Sequence, residues 1–188
     1  MCAPDCGVKK LCSLDVSEND VKKASFEQIC TILSRNSFLE TLYLNSLKLT
    51  NEDFGNLVDS LSYNTYFKKL DLNGNQITNA AKEIVELIEK NTNLTWLSLK
   101  DNWVGGSWQQ FSLALDSNTR LLTLELELGG GNEFFHSQVK EKLKENLERL
   151  ERINKVKVWM MILQRRKDNR VSLIPRRLLI YLLTFLII

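Results

Sequence analysis

The residues that most often carry out chemistry are sparse in this sequence and poorly placed for it. A nucleophilic triad needs a base held against a nucleophile, but the only histidine, His136, lies beside two phenylalanines and is expected to be a surface or core residue. Asp71 and Glu125 are carboxylates that the strand pattern places on one face, yet roughly 9–10 Å apart with Ser98 between them. We therefore assign no catalytic residue and expect no enzymatic activity.

Metal and cofactor chemistry are equally poorly served. The four cysteines form no C-x-x-C pair, and His136 is far from all of them, so a zinc site lacks a ligand set. We expect free thiols in a reducing compartment, no metal and no cofactor. The run 129–131 of glycines is not followed by Lys-Ser/Thr and predicts a turn rather than a phosphate-binding loop. The cysteines are Cys2, Cys6, Cys12 and Cys30.

Three copies of one pattern, apolar-x-x-Leu-x-Leu-x-x-Asn/Leu-x-apolar, organise the centre of the chain. LETLYLNSLKL begins at Leu39, FKKLDLNGNQI at Phe67 and LTWLSLKDNWV at Leu94, with spacings of 28 and 27 residues. A fixed period in this range is typical of a solenoid. Weaker copies begin at Leu11 and Leu121, so we expect about five repeats.

Each repeat combines two periodicities. Leu42 and Leu44 alternate with Tyr43, which predicts a strand, and the apolar residues that follow recur at the spacing of one helix face. Thr50 and Thr78 stand where a helix N-cap is expected. Strands pack about 4.8 Å apart and helices about 8–10 Å apart, so the stack must curve. We therefore predict an α/β right-handed leucine-rich-repeat solenoid, with parallel strands on the concave face and helices on the convex face.

Asparagines mark the exits of most predicted strands. Asn19, Asn75 and Asn102 hold the same place in their repeats, where a side-chain amide can satisfy backbone groups as the chain leaves the sheet. Leu47 replaces the asparagine in the second repeat and predicts a locally different turn.

These copies resemble leucine-rich repeats of the ribonuclease-inhibitor type, as in the sensor region of cytosolic NOD-like receptors. The resemblance covers roughly residues 8–128. Proteins of this class are mostly binding scaffolds that use the concave face, so the resemblance implies a protein partner. No nucleotide-binding module accompanies the repeats.

The strand alternation identifies the side chains that would face such a partner. Tyr43 and Trp96 are the candidate anchors, because aromatic residues dominate protein–protein binding energy. Glu125 and Glu127 make one end of the face acidic. The complete set of candidate contact residues is Tyr43, Asn45, Lys69, Asp71, Asn73, Trp96, Ser98, Lys100, Glu125 and Glu127.

The chain changes character after the repeats. We predict the solenoid over residues 1–133, an amphipathic capping helix region over 134–163, and a basic linker with an apolar C-terminal helix over 164–188. Residues 1–133 carry 12 Lys/Arg against 18 Asp/Glu, and residues 134–188 carry 13 against 5. The acidic body and basic end are a hint about partners rather than about fold.

Three interpretations of the last helix compete. It can pack on the domain, enter a membrane, or dock a ubiquitin-ligase adaptor, because the end of the chain resembles the opening helix of an F-box. The eleven residues from Leu178, almost all of them apolar, rise only about 16 Å as a helix, against about 30 Å for a bilayer core. Adaptor or membrane contact would involve Pro175, Leu178, Leu179, Leu182, Leu183, Phe185 and Leu186.

The N-terminus has no apolar segment typical of a signal peptide. We expect a cytoplasmic protein, with membrane association left open by the C-terminus. Its function is expected to be non-catalytic protein recognition through the concave face, by a monomer that does not bind nucleic acid. The two alternatives are an F-box-like substrate adaptor and a membrane-associated recognition protein.

Overall fold

The computed structural model describes residues 11–35, 38–62, 64–106, 108–127 and 133–168. The chain divides into two compact units, Met1–Lys144 and Glu145–Ile188. All strands and the first four helices that the structure describes belong to the first unit, and the boundary falls within the last described helix.

Five short parallel strands form one sheet in the first unit, and their order in the sheet is their order in the chain. The register aligns one leucine from every strand, namely Leu14, Leu42, Leu70, Leu97 and Leu124. This parallel arrangement confirms the predicted α/β class. The strands are β1 Ser13–Asp15, β2 Thr41–Tyr43, β3 Lys69–Asp71, β4 Trp96–Leu99 and β5 Thr123–Leu126.

A helix connects each strand to the next, as parallel pairing requires. Thr50 caps α2 in a capping box with Asp53, as predicted. The prediction for Thr78 is wrong, since α3 begins after Ala80 and has no side-chain cap. Thr78 instead accepts a hydrogen bond from the Asn51 side chain of the previous repeat. The helices are α1 Lys23–Ser34, α2 Asn51–Leu61, α3 Ala81–Lys90, α4 Trp108–Ser117 and α5 Glu133–Asp168.

The core of the first unit fills the layer between the sheet and the helices. Leu42, Leu70 and Leu97 project from the sheet and are fully buried, as are Phe54 and Phe111 of the helices. Burying one such side chain contributes about 1.5–3 kcal/mol. Because every repeat adds an equivalent set of apolar side chains, the core runs continuously along the stack of repeats.

Buried asparagines close the turns where the strands end. Asn75 donates from Nδ2 to the carbonyls of Leu44 and Leu72, both at 2.8 Å. Its Oδ1 accepts from the backbone N–H groups of Leu47 and Leu49, both at 3.0 Å. One side chain therefore satisfies four backbone groups. Asn102 makes most of the same hydrogen bonds in the next repeat.

A second asparagine ladder closes the opposite turns, where each helix returns to the next strand. Asn64, Asn91 and Asn118 are all buried. Each donates to a carbonyl of the preceding repeat, as Asn91 does to Leu61 at 2.7 Å. Each also accepts hydrogen bonds from two backbone N–H groups that follow it closely in the chain. These are the asparagines of the phrases YNTY, KNTN and SNTR, to which the sequence analysis assigned no role.

The turn at Leu47 differs from the others, as its sequence predicts. Each of the four strand-exit turns that the structure describes has one residue with positive φ at the same place, and in the second repeat this is Ser46. Among these four turns, only that of the second repeat has a further left-handed residue two positions later, Lys48 with φ 60°. Leu47 itself is buried in the core, so the missing amide is replaced by a side chain that adds to the apolar layer.

The first turns of α5 pack within the first unit. Val139 is buried against the core and Leu143 packs beside it. Ser112 of α4 donates to Gln138 at 3.3 Å, and the ring of His136 stacks on Trp108 at 4.4 Å between centroids. His136 thus has a packing role in this unit.

Two further expectations concern the ends of the chain. Cys30 is a buried free thiol whose pKa is raised by burial, but Cys12 is disulfide-bonded. The expectation of free thiols is therefore wrong for Cys12, because spacing that rules out a metal site does not rule out a disulfide. No helix in the described part of the chain has the length and apolar content that a bilayer crossing requires. Residues 173–188 lie outside the described residues.

Replacing Asn75 by alanine is expected to lower the free energy of unfolding by about 3 kcal/mol or more, because four buried backbone groups lose their partner. Urea denaturation with the slope compared to wild type measures the change. The matched control is Asn19→Ala, whose side chain is exposed. Equal losses in both variants would contradict the ladder's role.

Two glycines offer an opposed pair of predictions. Gly106 has φ +82°, and a Cβ there would lie 2.4 Å from Ala81 Cβ, so Gly106→Ala should destabilise by about 2 kcal/mol. Gly55 lies in α2 with nothing within 4 Å of an added Cβ, so Gly55→Ala should stabilise by about 0.5–1 kcal/mol. Thermal unfolding of both variants compares them directly, and shifts of the same sign would refute the geometry.

Candidate protein-binding face

The side chains that alternate with the core leucines form one polar surface of the sheet, here called the sheet face. Strand register aligns them in rows. Lys69 lies opposite Trp96, and Asp71 lies between Tyr43 and Ser98. Neighbours in a row are roughly 4.8 Å apart along the sheet. The sheet face comprises Ser13, Asp15, Ser17, Thr41, Tyr43, Asn45, Lys69, Asp71, Asn73, Trp96, Ser98, Lys100, Thr123, Glu125 and Glu127.

A lysine held by two aromatic rings stands at the centre of this face. Lys69 Nζ lies 4.1 Å from the centroid of Trp96 and 5.0 Å from that of Tyr43. Each such cation–π contact contributes about 0.5–1 kcal/mol near the surface. All three side chains are partly buried, so the two predicted aromatic anchors are held in place by the lysine between them.

Asp71 lies lower in the same face and is only 8 % exposed. Its Oδ1 has no hydrogen-bond partner among the residues that the structure describes. A buried acceptor left without a donor costs about 1–3 kcal/mol, and more when the acceptor is charged. The sequence analysis placed Asp71 among the candidate contact residues of the polar face but did not predict its burial, because burial on a sheet face cannot be read from alternation.

The asparagines of the face connect neighbouring strands. Asn45 Oδ1 accepts from the Asn73 N–H at 2.8 Å, and Asn73 Oδ1 accepts from the Lys100 N–H at 2.8 Å and the Ser98 hydroxyl at 2.7 Å. Ser98 is fully buried, so its contribution to the face lies beneath the surface. Asn45 and Asn73 therefore order the strand ends around the aromatic pair.

The acidic end of the face carries an ion pair. Lys100 Nζ lies 3.0 Å from Glu125, with both side chains partly exposed, which makes its effect on stability small. Burial raises the pKa of Glu125, but the hydrogen bond from Lys100 and the nearby charges of Lys100 and Lys69 act against it, and the pKa ends below its usual value. Glu127 is exposed at the margin.

The most exposed aromatic residue of the described chain was missed by the sequence analysis. Trp103 is 81 % exposed and follows Asn102, away from the sheet face. The equivalent positions hold Asp20, Lys48 and Gln76, so an aromatic residue among polar ones was the available signal. Trp103 forms an isolated bridge with Thr78.

The remaining candidate sites are quickly placed. Within the described ranges, no group of three His, Cys, Asp or Glu side chains could hold a metal ion. Asp71 and Glu125 are separated by Ser98 in the register, as predicted. The adaptor or membrane contacts lie outside the described residues, from Pro175 to Leu186.

Comparisons with known proteins define the fold more closely. The sequence matches no family model, and no curated protein is significantly similar to it. Solved structures do match. The tropomodulin C-terminal domain of Caenorhabditis elegans superposes with a TM-score of 0.67 at 15% identity, covering 78% of this chain and 89% of that one. Leiomodin-1 actin-binding site 2 gives a TM-score of 0.63 at 19% identity, covering 85% and 89%.

These matches correct one expectation. The resemblance to ribonuclease-inhibitor-type repeats of NOD-like receptors is wrong, since the matching structures are a tropomodulin and a leiomodin domain. The fold is of the leucine-rich-repeat-like α/β class, and the strand motif is what such folds share. The motif reports the geometry of one strand and its turn, and it cannot distinguish families that build the same unit. The matches give no support to an F-box or a membrane anchor.

The ion pair at the acidic end generates a pH prediction. Lys100→Met should raise the pKa of Glu125, because the carboxylate loses both a hydrogen-bond donor and a neighbouring positive charge. A lowered carboxyl pKa stabilises the fold above its unfolded value and loses that effect as pH falls through the folded pKa. The variant should therefore lose less stability on acidification. Carboxyl-carbon NMR titration measures the pKa, with Lys82→Met on α3 as control; an unchanged Glu125 pKa would refute the pairing.

Proposed function

We propose that this chain is a non-catalytic protein-binding module that contacts its partner through the sheet face. The observation that carries the proposal is the cation–π group formed by Tyr43, Lys69 and Trp96. Aromatic side chains held rigidly near the centre of a surface lose little conformational entropy on binding, and such residues dominate interface energetics.

The proposed architecture extends the fold class to a right-handed leucine-rich-repeat solenoid with the strands on its concave side. A concave sheet face would surround a partner on several sides. The proposal includes no nucleic acid, because the face mixes acidic and basic side chains and lacks a basic stripe.

Actin is the partner that we propose to test first. The matched part of leiomodin is an actin-binding site, and it spans most of the present chain in the superposition. That likeness is one of fold, so the proposal for this chain depends on direct binding. Co-sedimentation with filaments and interferometry on immobilised monomeric actin cover both forms of the partner.

Truncation of the aromatic pair tests the face itself. Tyr43→Ala and Trp96→Ala are each expected to weaken actin binding by about 2 kcal/mol or more, roughly 30-fold, as interface anchors do. Interferometry measures the affinity, and urea denaturation verifies that the variants remain folded. The matched control is Trp103→Ala, which removes an exposed aromatic residue outside the face.

Two results would contradict the proposal in different ways. Binding that is lost in Trp103→Ala but kept in both face variants would move the contact surface off the sheet face. An absence of binding to filaments and to monomers would remove actin as the partner.

A further inference from the structure

The Asp71 carboxylate is the feature of the sheet face that packing alone leaves incomplete. It is 8 % exposed, and its Oδ1 lacks a partner among the described residues. Lys69 is two residues away on the same strand, so its side chain projects from the same side of the sheet. Its ammonium lies over the rings of Trp96 and Tyr43 instead.

We propose that the partner inserts an arginine side chain, whose guanidinium lies against Tyr43 and Trp96 and donates a hydrogen bond to Asp71 Oδ1. This inference rests on the proposed function and specifies the chemistry of the partner. The Lys69 ammonium occupies the position that the guanidinium takes on binding, and Lys69 swings away into solvent.

The geometry favours this occupant. Tyr43 is the register partner of Asp71, and Trp96 is the register partner of Lys69, so rings and carboxylate lie within two rows of one sheet. Side chains two residues apart on a strand project roughly 7 Å apart, a span that a long side chain can bridge. The contacts of Lys69 Nζ with both rings show that a cation is accommodated there.

Guanidinium chemistry fits the pair of contacts better than other cations do. A guanidinium is planar, stacks on aromatic faces and still presents several N–H donors to a carboxylate. A trimethylammonium group satisfies the rings but has no N–H for Oδ1. An uncharged ureido group has donors but lacks the charge.

The test uses the full chain and N-acetyl-arginine amide as the probe. The indole N–H resonance of Trp96, assigned with Trp96→Phe, is followed during titration. We expect a saturable shift with a dissociation constant on the order of millimolar, as for a single small group. N-acetyl-citrulline amide and N-acetyl-trimethyllysine amide should each bind at least about tenfold more weakly.

Two variants with matched controls sharpen the test. Asp71→Asn should weaken binding of the arginine probe by about tenfold or more, whereas Asp59→Asn, which removes a charge from exposed α2, should not. Lys69→Met should strengthen binding by removing the resident cation, and Lys82→Met should not. If Asp71→Asn fails to fold, the change in affinity for the arginine probe that Lys69→Met causes decides the test.

The outcomes separate this inference from the proposed function. No saturable shift, equal binding of citrulline, or weaker binding in Lys69→Met would overturn the guanidinium site. Actin binding that is unaffected by Asp71→Asn would also overturn it while leaving the proposed function intact. A saturable, Asp71-dependent arginine site in a chain that does not bind actin would support the inference and remove actin as the partner.

Discussion

The fold of the first unit depends on satisfying the backbone groups that the turns between strands and helices leave without partners. Each repeat turns twice. A buried asparagine amide takes the place of missing backbone partners at the strand exits of the third and fourth repeats, and at the helix-to-strand turns of the second, third and fourth repeats. An amide serves here because it offers two donors and an acceptor within one short side chain. Since Asn75 and Asn91 donate hydrogen bonds to residues of the preceding repeat, each ladder also fixes the register between neighbouring repeats.

The same constraint produces the ordered surface. Strands of three or four residues leave few positions on the sheet face, and the face asparagines connect those positions across the sheet. The rows are therefore fixed before any partner arrives. Lys69 can lie against two rings only because parallel register places Trp96 beside it and Tyr43 diagonally across. The order of the sheet face therefore follows from the order of the turns.

Sequence periodicity predicted the parts that repeat. The alternation of Leu42 and Leu44 and the helical spacing after them predict strand and helix, because burial on one face imposes both periods. The second asparagine ladder, which includes Asn64, was not predicted, since a polar residue between a helix and a strand is expected to lie in an exposed loop. Trp103 escaped because exposure is a property of the turn. The family was wrong because the strand motif is common to repeats of different origin.

Asp71 shows how periodicity can place a residue correctly and still miss what matters about it. Alternation assigns it to the polar face, yet the rows around it bury it. The buried side-chain amides of Asn75 and Asn102 are hydrogen-bonded to backbone groups, so this fold does supply partners for other buried polar side chains. One buried carboxylate oxygen left without a donor, beside two ordered rings, is a local cost with no structural return. Such a cost is sustained where a partner supplies the missing group, and the unpartnered oxygen is the reason why the proposal of a partner arginine places its contact at Asp71.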